Sequence, residues 1–182
     1  MRMVKSGKAA AEGSALGSEM EAAFNAQLNR EFYSSYLYLS MSAYFDSENL
    51  PGHAHWMRLQ ADEEYAHAMK FFLLINDRGG RVQLTTIAEP QSGFGSSLEA
   101  FSQALEHERE ISDHIGRLYE QASSQNDHAS VTFLQWFVNE QVEEEKTLDQ
   151  LVATLGMIGG EKTAMWMFDR ELATRTAAPP TA

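Results

Sequence analysis

Four stretches of this chain carry large apolar residues at alternating spacings of three and four, and a glutamate breaks each stretch near its middle. That spacing keeps one face of an α-helix turned toward a shared seam, so four such stretches restrict the chain to a helical bundle. The first seam reads Phe24, Leu28, Glu31, Ser35, Tyr38, Ser42, Phe45, and the second Trp56, Gln60, Glu64, His67, Phe71, Leu74. The third reads Leu98, Phe101, Leu105, Glu108, Ser112, Ile115, Tyr119, and the fourth Leu134, Phe137, Gln141, Glu144, Leu148, Leu151, Leu155.

Start and stop signals set the expected helices. The first spans residues 18–46, with Ser18 as cap and Glu21 three residues on. The second spans 51–78, with Pro51 in its first turn and Gly79-Gly80 at its end. The third follows Ser96 to about Gln125, and the fourth runs from Asp127 or His128 to Leu155, where Gly156 reads as the stop. A shorter helix over 161–175 follows a Gly159-Gly160 break. Residues 1–18 read as a flexible arm, with an organelle transit peptide as the alternative, residues 19–175 as the folded unit, and 176–182 as a disordered tail. Asn126 leaves almost no loop between helices three and four, so they lie antiparallel, as do one and two. The connection over 79–95 is unusually long. A helix of about 28 residues is about 42 Å long, and about 17 extended residues cover that distance. Such a loop either crosses the whole bundle and makes helices two and three parallel, as in one-crossover bundles, or simply bulges.

The seam glutamates share a height. Glu31, Glu64 and Glu108 fall roughly 11 to 13 residues from their helix starts and Glu144 roughly 16, which places all four near mid-bundle. Buried like charges repel one another and lose their hydration, so the cluster must either take up protons or bind cations. Glu64 and His67 project one turn apart from one helix face. A Glu-x-x-His pair with further glutamates from neighbouring helices is the arrangement of di-iron carboxylate sites. Carboxylates with one imidazole suit iron or manganese, with zinc a competitor on ligand type alone.

Composition narrows the field. The 182 residues include no cysteine, which removes disulfides, thiolate zinc sites, iron–sulfur clusters and cysteine nucleophiles. A net charge of −12 disfavours nucleic acid and anionic membrane as partners. No apolar run approaches the roughly 20 residues that span a bilayer. The expected location is the cytoplasm.

Over residues 19–175 the chain resembles the non-haem ferritins of the prokaryotic type. The resemblance rests on residues 29–38 (NREFYSSYLY), 61–67 (ADEEYAH) and 133–146 (FLQWFVNEQVEEEK). It implies an all-α, ferritin-like four-helix bundle with a long crossover and a short fifth helix. It further implies that Glu31 and His67 bind one iron, that Glu64 bridges, and that Glu108 and Glu144 bind the second. Gln141 would orient oxygen or ligands, and Tyr38 would lend an electron, with Trp136 nearby. Glu63, Glu140 and Glu143 resemble an accessory third iron site. The implied activity is a ferroxidase: two Fe(II) oxidised by O2 or H2O2, and ferric mineral stored in a homo-oligomeric 24-subunit shell. In that shell the last helix, carrying Met165, Trp166, Met167 and Phe168, would pack at the four-fold axes. The alternative is a helix that caps its own bundle.

Haem is not expected. Haem-binding relatives carry a methionine after the bridging glutamate, where this chain has Tyr65, and a second Glu-x-x-His where it has Gln141-x-x-Glu144. Val131 and Leu134 stand where animal-type channels carry acids. A di-iron oxygenase or radical enzyme would need a substrate pocket that these filled seams do not provide. A rubrerythrin-like peroxidase would need thiolates, and a purely structural bundle would have lost Glu64 or His67.

Overall fold

The computed structural model describes residues 15–177. Expectations of a flexible arm and a disordered tail fall largely on residues 1–14 and 178–182, outside the described residues. Five helices follow in order: α1 (Ser18–Ser47), α2 (Pro51–Asp77), α3 (Ser97–Ser124), α4 (His128–Ile158) and α5 (Lys162–Leu172). The described residues contain no strand.

Side-chain pairings fix the directions. Ser42 Oγ donates to Ala54 O and Ser35 Oγ to Ala61 O, so α1 and α2 are antiparallel. Gln125 reaches Glu19 while Phe101 packs on Phe45, so α1 and α3 are antiparallel too. Helices α2 and α3 therefore run parallel, and the chain crosses the bundle between them. The crossing strip is tied to the outer face of α1: Asn25 donates to Arg81 O, Asn29 to Thr86 O and Ser40 to Gln91 O. Phe94 then plugs into the core beside Tyr44, at 5.2 Å between ring centroids.

Helix ends follow local chemistry, with three departures. Ser96 caps α3 and Asp127 caps α4 through bonds from the Glu99 and Ser130 amides. Ser18, however, is already helical; Gly17, which has no side chain to offer, takes the cap position, and Leu16 N beside it donates to Arg78 O. Gly156 does not stop α4. A glycine inside a helix costs only about 1 kcal/mol, and the true stop is the Gly159-Gly160 pair at φ 56° and 87°. Helix α5 ends at Leu172 rather than Arg175, because the chain then folds back onto α2.

The apolar interior falls into two clusters. One gathers Tyr38, Phe45, Trp56, Phe101, Leu148 and Leu155 at one end, closed by Phe168 and Leu172 of α5. The other gathers Phe24, Leu28, Phe71, Ile115, Leu134 and Phe137 at the opposite end. Leu98, expected in the third seam, is exposed because it sits in the first turn of α3, where Ser97 and Ala100 face inward instead. Between the clusters lies the polar layer. Helix α5 caps its own bundle with one face, while Trp166 and Met167 on the other remain exposed.

Candidate metal centre

Each long helix sends one buried carboxylate into the layer between the apolar clusters. Glu31 of α1, Glu64 of α2 and Glu108 of α3 are at most 1% exposed, and Glu144 of α4 is 7% exposed. His67 and Gln141 are also buried, and Tyr38 lies directly beneath. The seam spacing produces this arrangement: each carboxylate takes a position that an apolar residue would otherwise fill.

The groups fall into two linked sets. Potential ligand atoms of Glu31, Glu64 and His67 all lie within 4.8 Å of one another, and His67 Nδ1 is 3.5 Å from Glu64 Oε2. The second set is tied by hydrogen bonds. Tyr38 Oη donates to Glu108 Oε1 at 2.6 Å, and Gln141 Nε2 donates to Glu108 Oε2 at 3.1 Å. Gln60 joins the sets, its amide donating to Glu64 Oε1 at 3.3 Å and to Glu144 Oε2 at 2.9 Å. On the other side Gln27 donates to Glu31 Oε1 at 2.7 Å.

These contacts do not neutralise the cluster. Burial, then the charge of Glu64, pushes the Glu31 carboxyl from the usual 4.5 to about 8. Burial and the charges of Glu64 and Glu108 push Glu144 to about 8 as well. Glu64 rises well above the carboxylate range, through burial and then the charge of Glu108. Tyr38 is likewise held far toward its neutral phenol, by burial and then by Glu108. Carboxylates this reluctant to ionise fit a layer whose anions are completed by metal cations. The donor set, oxygen-rich with a single imidazole, suits hard or borderline divalent ions such as ferrous iron.

The remaining acids sit outside this layer. Glu63, Glu140 and Glu143 line a half-open cavity of about 350 Å³ that reaches His67 and Glu144. Glu63 is ion-paired with Arg175 and Glu143 with Lys146, at 3.2 Å for the latter. Trp136 borders the same cavity and meets the His67 ring edge-on at 5.3 Å.

Three polar residues at the layer escaped the sequence reading as site residues. Gln27 and Gln60 each sit one turn before a glutamate they bond, which is a detectable i, i+4 signal. Gln60 lies on the seam, but Gln27 lies off it despite full burial. Arg175 has no local signal, since it arrives from beyond α5.

The ferritin-like domain family matches residues 21–158. The bacterial non-haem ferritin of Staphylococcus epidermidis is 38% identical over 161 residues, 88% of this chain and 97% of that protein. Its Staphylococcus aureus counterpart is 36% identical over the same span. Among solved structures, a novel open-pore ferritin from the archaeon Archaeoglobus fulgidus aligns with a TM-score of 0.88 at 46% identity, covering 89% of this chain and 100% of that one. An engineered closed form of the Archaeoglobus fulgidus ferritin gives 0.89 at 44%, covering 90% and 100%.

Proposed function

This chain belongs to the ferritin family, and on that premise we propose that it is a cytoplasmic iron-storage ferroxidase working as a 24-subunit shell. The observation that carries the reading is the layer of four buried carboxylates and one imidazole at mid-bundle.

Two ferrous ions are the substrate. Glu31 and His67 hold the first, Glu64 bridges, and Glu108 and Glu144 hold the second. Each arriving dication displaces protons from carboxyls that burial keeps protonated, and its charge offsets the repulsion among the carboxylates so formed. Each ion gives up one electron, and the pair carries O2 to the level of hydrogen peroxide, or H2O2 to water. Gln141 holds Glu108 from the α4 side. Tyr38, held against Glu108, would supply a further electron where O2 is carried past the peroxide level, its phenol proton passing to Glu108. The ferric product leaves for a mineral store within the shell, and Glu63, Glu140 and Glu143 form an accessory iron site at the outer cavity. Haem has no part in this scheme.

Aerobic addition of Fe(II) to the iron-free protein tests the reading. Fast oxidation followed by hundreds of irons held per particle is expected. Glu64→Ala is expected to abolish the fast phase, since it removes the bridge between the ions. Oxidation surviving at the original rate in that variant would sink the assignment.

A further inference from the structure

We propose that Arg175, in the segment following α5, is a positioning residue for the metal centre: by binding the Gln60 carbonyl it aims the Gln60 amide nitrogen at Glu64 and Glu144. The inference rests on the ferroxidase reading of that centre.

Arg175 is built into place from several sides. Its guanidinium lies over the Trp56 ring, 4.3 Å from the centroid, and Nη1 donates to Trp56 O at 3.2 Å. Nη2 donates to Gln60 Oε1 at 2.9 Å and pairs with Glu63 Oε2. The backbone is held as well, with His55 Nε2 at 2.9 Å from Arg175 O. A guanidinium has no acceptor atom, so only the carbonyl end of Gln60 can face it. The NH2 end must then face the centre, where it meets a carboxylate oxygen from each of two helices. With the amide reversed, its nitrogen would face a cation that accepts nothing, and its oxygen would face carboxyls that must be ionised, and so accept only, to hold metal.

Gln27 offers a comparison within the same molecule. It also donates to the glutamate four residues on, yet its Oε1 has no hydrogen-bond partner among the described residues. Of these two amides, the α2 one is locked from behind. The lock is on the side of the centre where the bridging Glu64 and the α4 ligand meet, so the geometry for the second ion is set before metal arrives. Preset ligands lose less conformational freedom on binding, and the gain is read as affinity.

A double-mutant cycle separates aim from charge. Arg175→Met removes the guanidinium, keeps an apolar stem over Trp56 and leaves Glu63 in place, so its charge effect is common to both arms of the cycle. The probe is Co(II), which carries the charge of ferrous iron and reports its ligands through visible absorption. Full-length protein is titrated with Co(II) by calorimetry and absorption, with elution volume and helical circular dichroism checked alongside. The variant is expected to bind Co(II) about tenfold more weakly, as for loss of a charge-assisted hydrogen bond. In a Gln60→Leu background the same substitution is expected to cause no weakening, because the relay is already cut. Unchanged affinity with Gln60 present, or equal weakening in both backgrounds, overturns the proposal. If Arg175→Met fails to assemble, Arg175→Lys keeps the charge without the fork and is read in the same two backgrounds by the same criteria. Failure of the unaltered protein to bind Co(II) at the centre overturns the ferroxidase reading, and this inference with it.

Discussion

Glu31 and Glu144 are carboxylic acids displaced upward past the ordinary histidine value, and each makes the metal-free fold less stable as pH rises. Their carboxyls ionise near 4.5 in the unfolded chain and at about 8 in the metal-free fold. A raised folded value means that stability is fully present below 4.5 and is lost as pH climbs through about 8. Iron-free protein is therefore expected to melt at progressively lower temperature between about pH 5 and about pH 9. Glu31→Gln should blunt that fall, because its amide has no proton to lose, while weakening metal binding. Co(II) should restore the melting temperature of the unaltered protein at high pH and release protons as it binds. Calorimetric scans across pH check this, and a melting temperature rising with pH would refute it. The seam glutamates and His67 were legible because a polar group at a seam position breaks a strong apolar pattern. Gln27 lies off the seam, and its one mark is the glutamate four residues on. Arg175 was invisible for a different reason: 112 residues separate it from Glu63, and only the tertiary fold joins them.

At the scale of elements, the contact between α2 and α5 is tightest at Gly52. A Cβ there would come 1.7 Å from Asp169 O, so the backbones meet because Gly52 has no side chain. Beside it, Asp169 Oδ1 accepts from His53 N at 3.0 Å and lies 2.7 Å from His53 Nδ1, within a ring of Phe45, Phe101 and Phe168. Gly52→Ala is expected to push α5 off its seat, at a cost of about 1–3 kcal/mol for overpacking. Faster cleavage near residues 159–161 under limited proteolysis is the readout, and an unchanged digestion pattern counts against it. Helix existence and the antiparallel pairs were readable from seams and short connections, whereas loop length allowed either a crossover or a bulge and the family resemblance favoured the crossover. Gly156 misled because a glycine inside a long, well-packed helix is tolerated when a left-handed stop follows. The end of α5 was misjudged because helix propensity continues to Arg175, whereas Trp56 and Glu63 take Arg175 for themselves.

For the whole molecule, one face of α5 is already used within the chain, and Trp166, Met167 and Met157 are left in solvent at 60%, 62% and 80% exposure. An apolar patch of this kind is expected to be covered by neighbouring copies in the proposed shell. Size-exclusion chromatography with light scattering should give a particle near 24 chains, and Trp166→Glu with Met167→Glu should shift it to smaller species. A monomer from the unaltered protein would remove the shell from the proposal. Fold class was readable at this scale because one periodicity covers most of the chain. How copies meet was not, because an exposed aromatic face does not name its partner.

The two closed apolar ends, with a polar layer between them, divide the work of this bundle. Each end holds itself together by excluding water. The middle is tied by hydrogen bonds to carboxyls that turn on one another as they lose their protons, and there cations add the cohesion. Ions passing through therefore act as temporary mortar. The bundle should breathe most at its waist when unladen and stiffen there with each load, so that cargo is taken up and surrendered without either end coming apart.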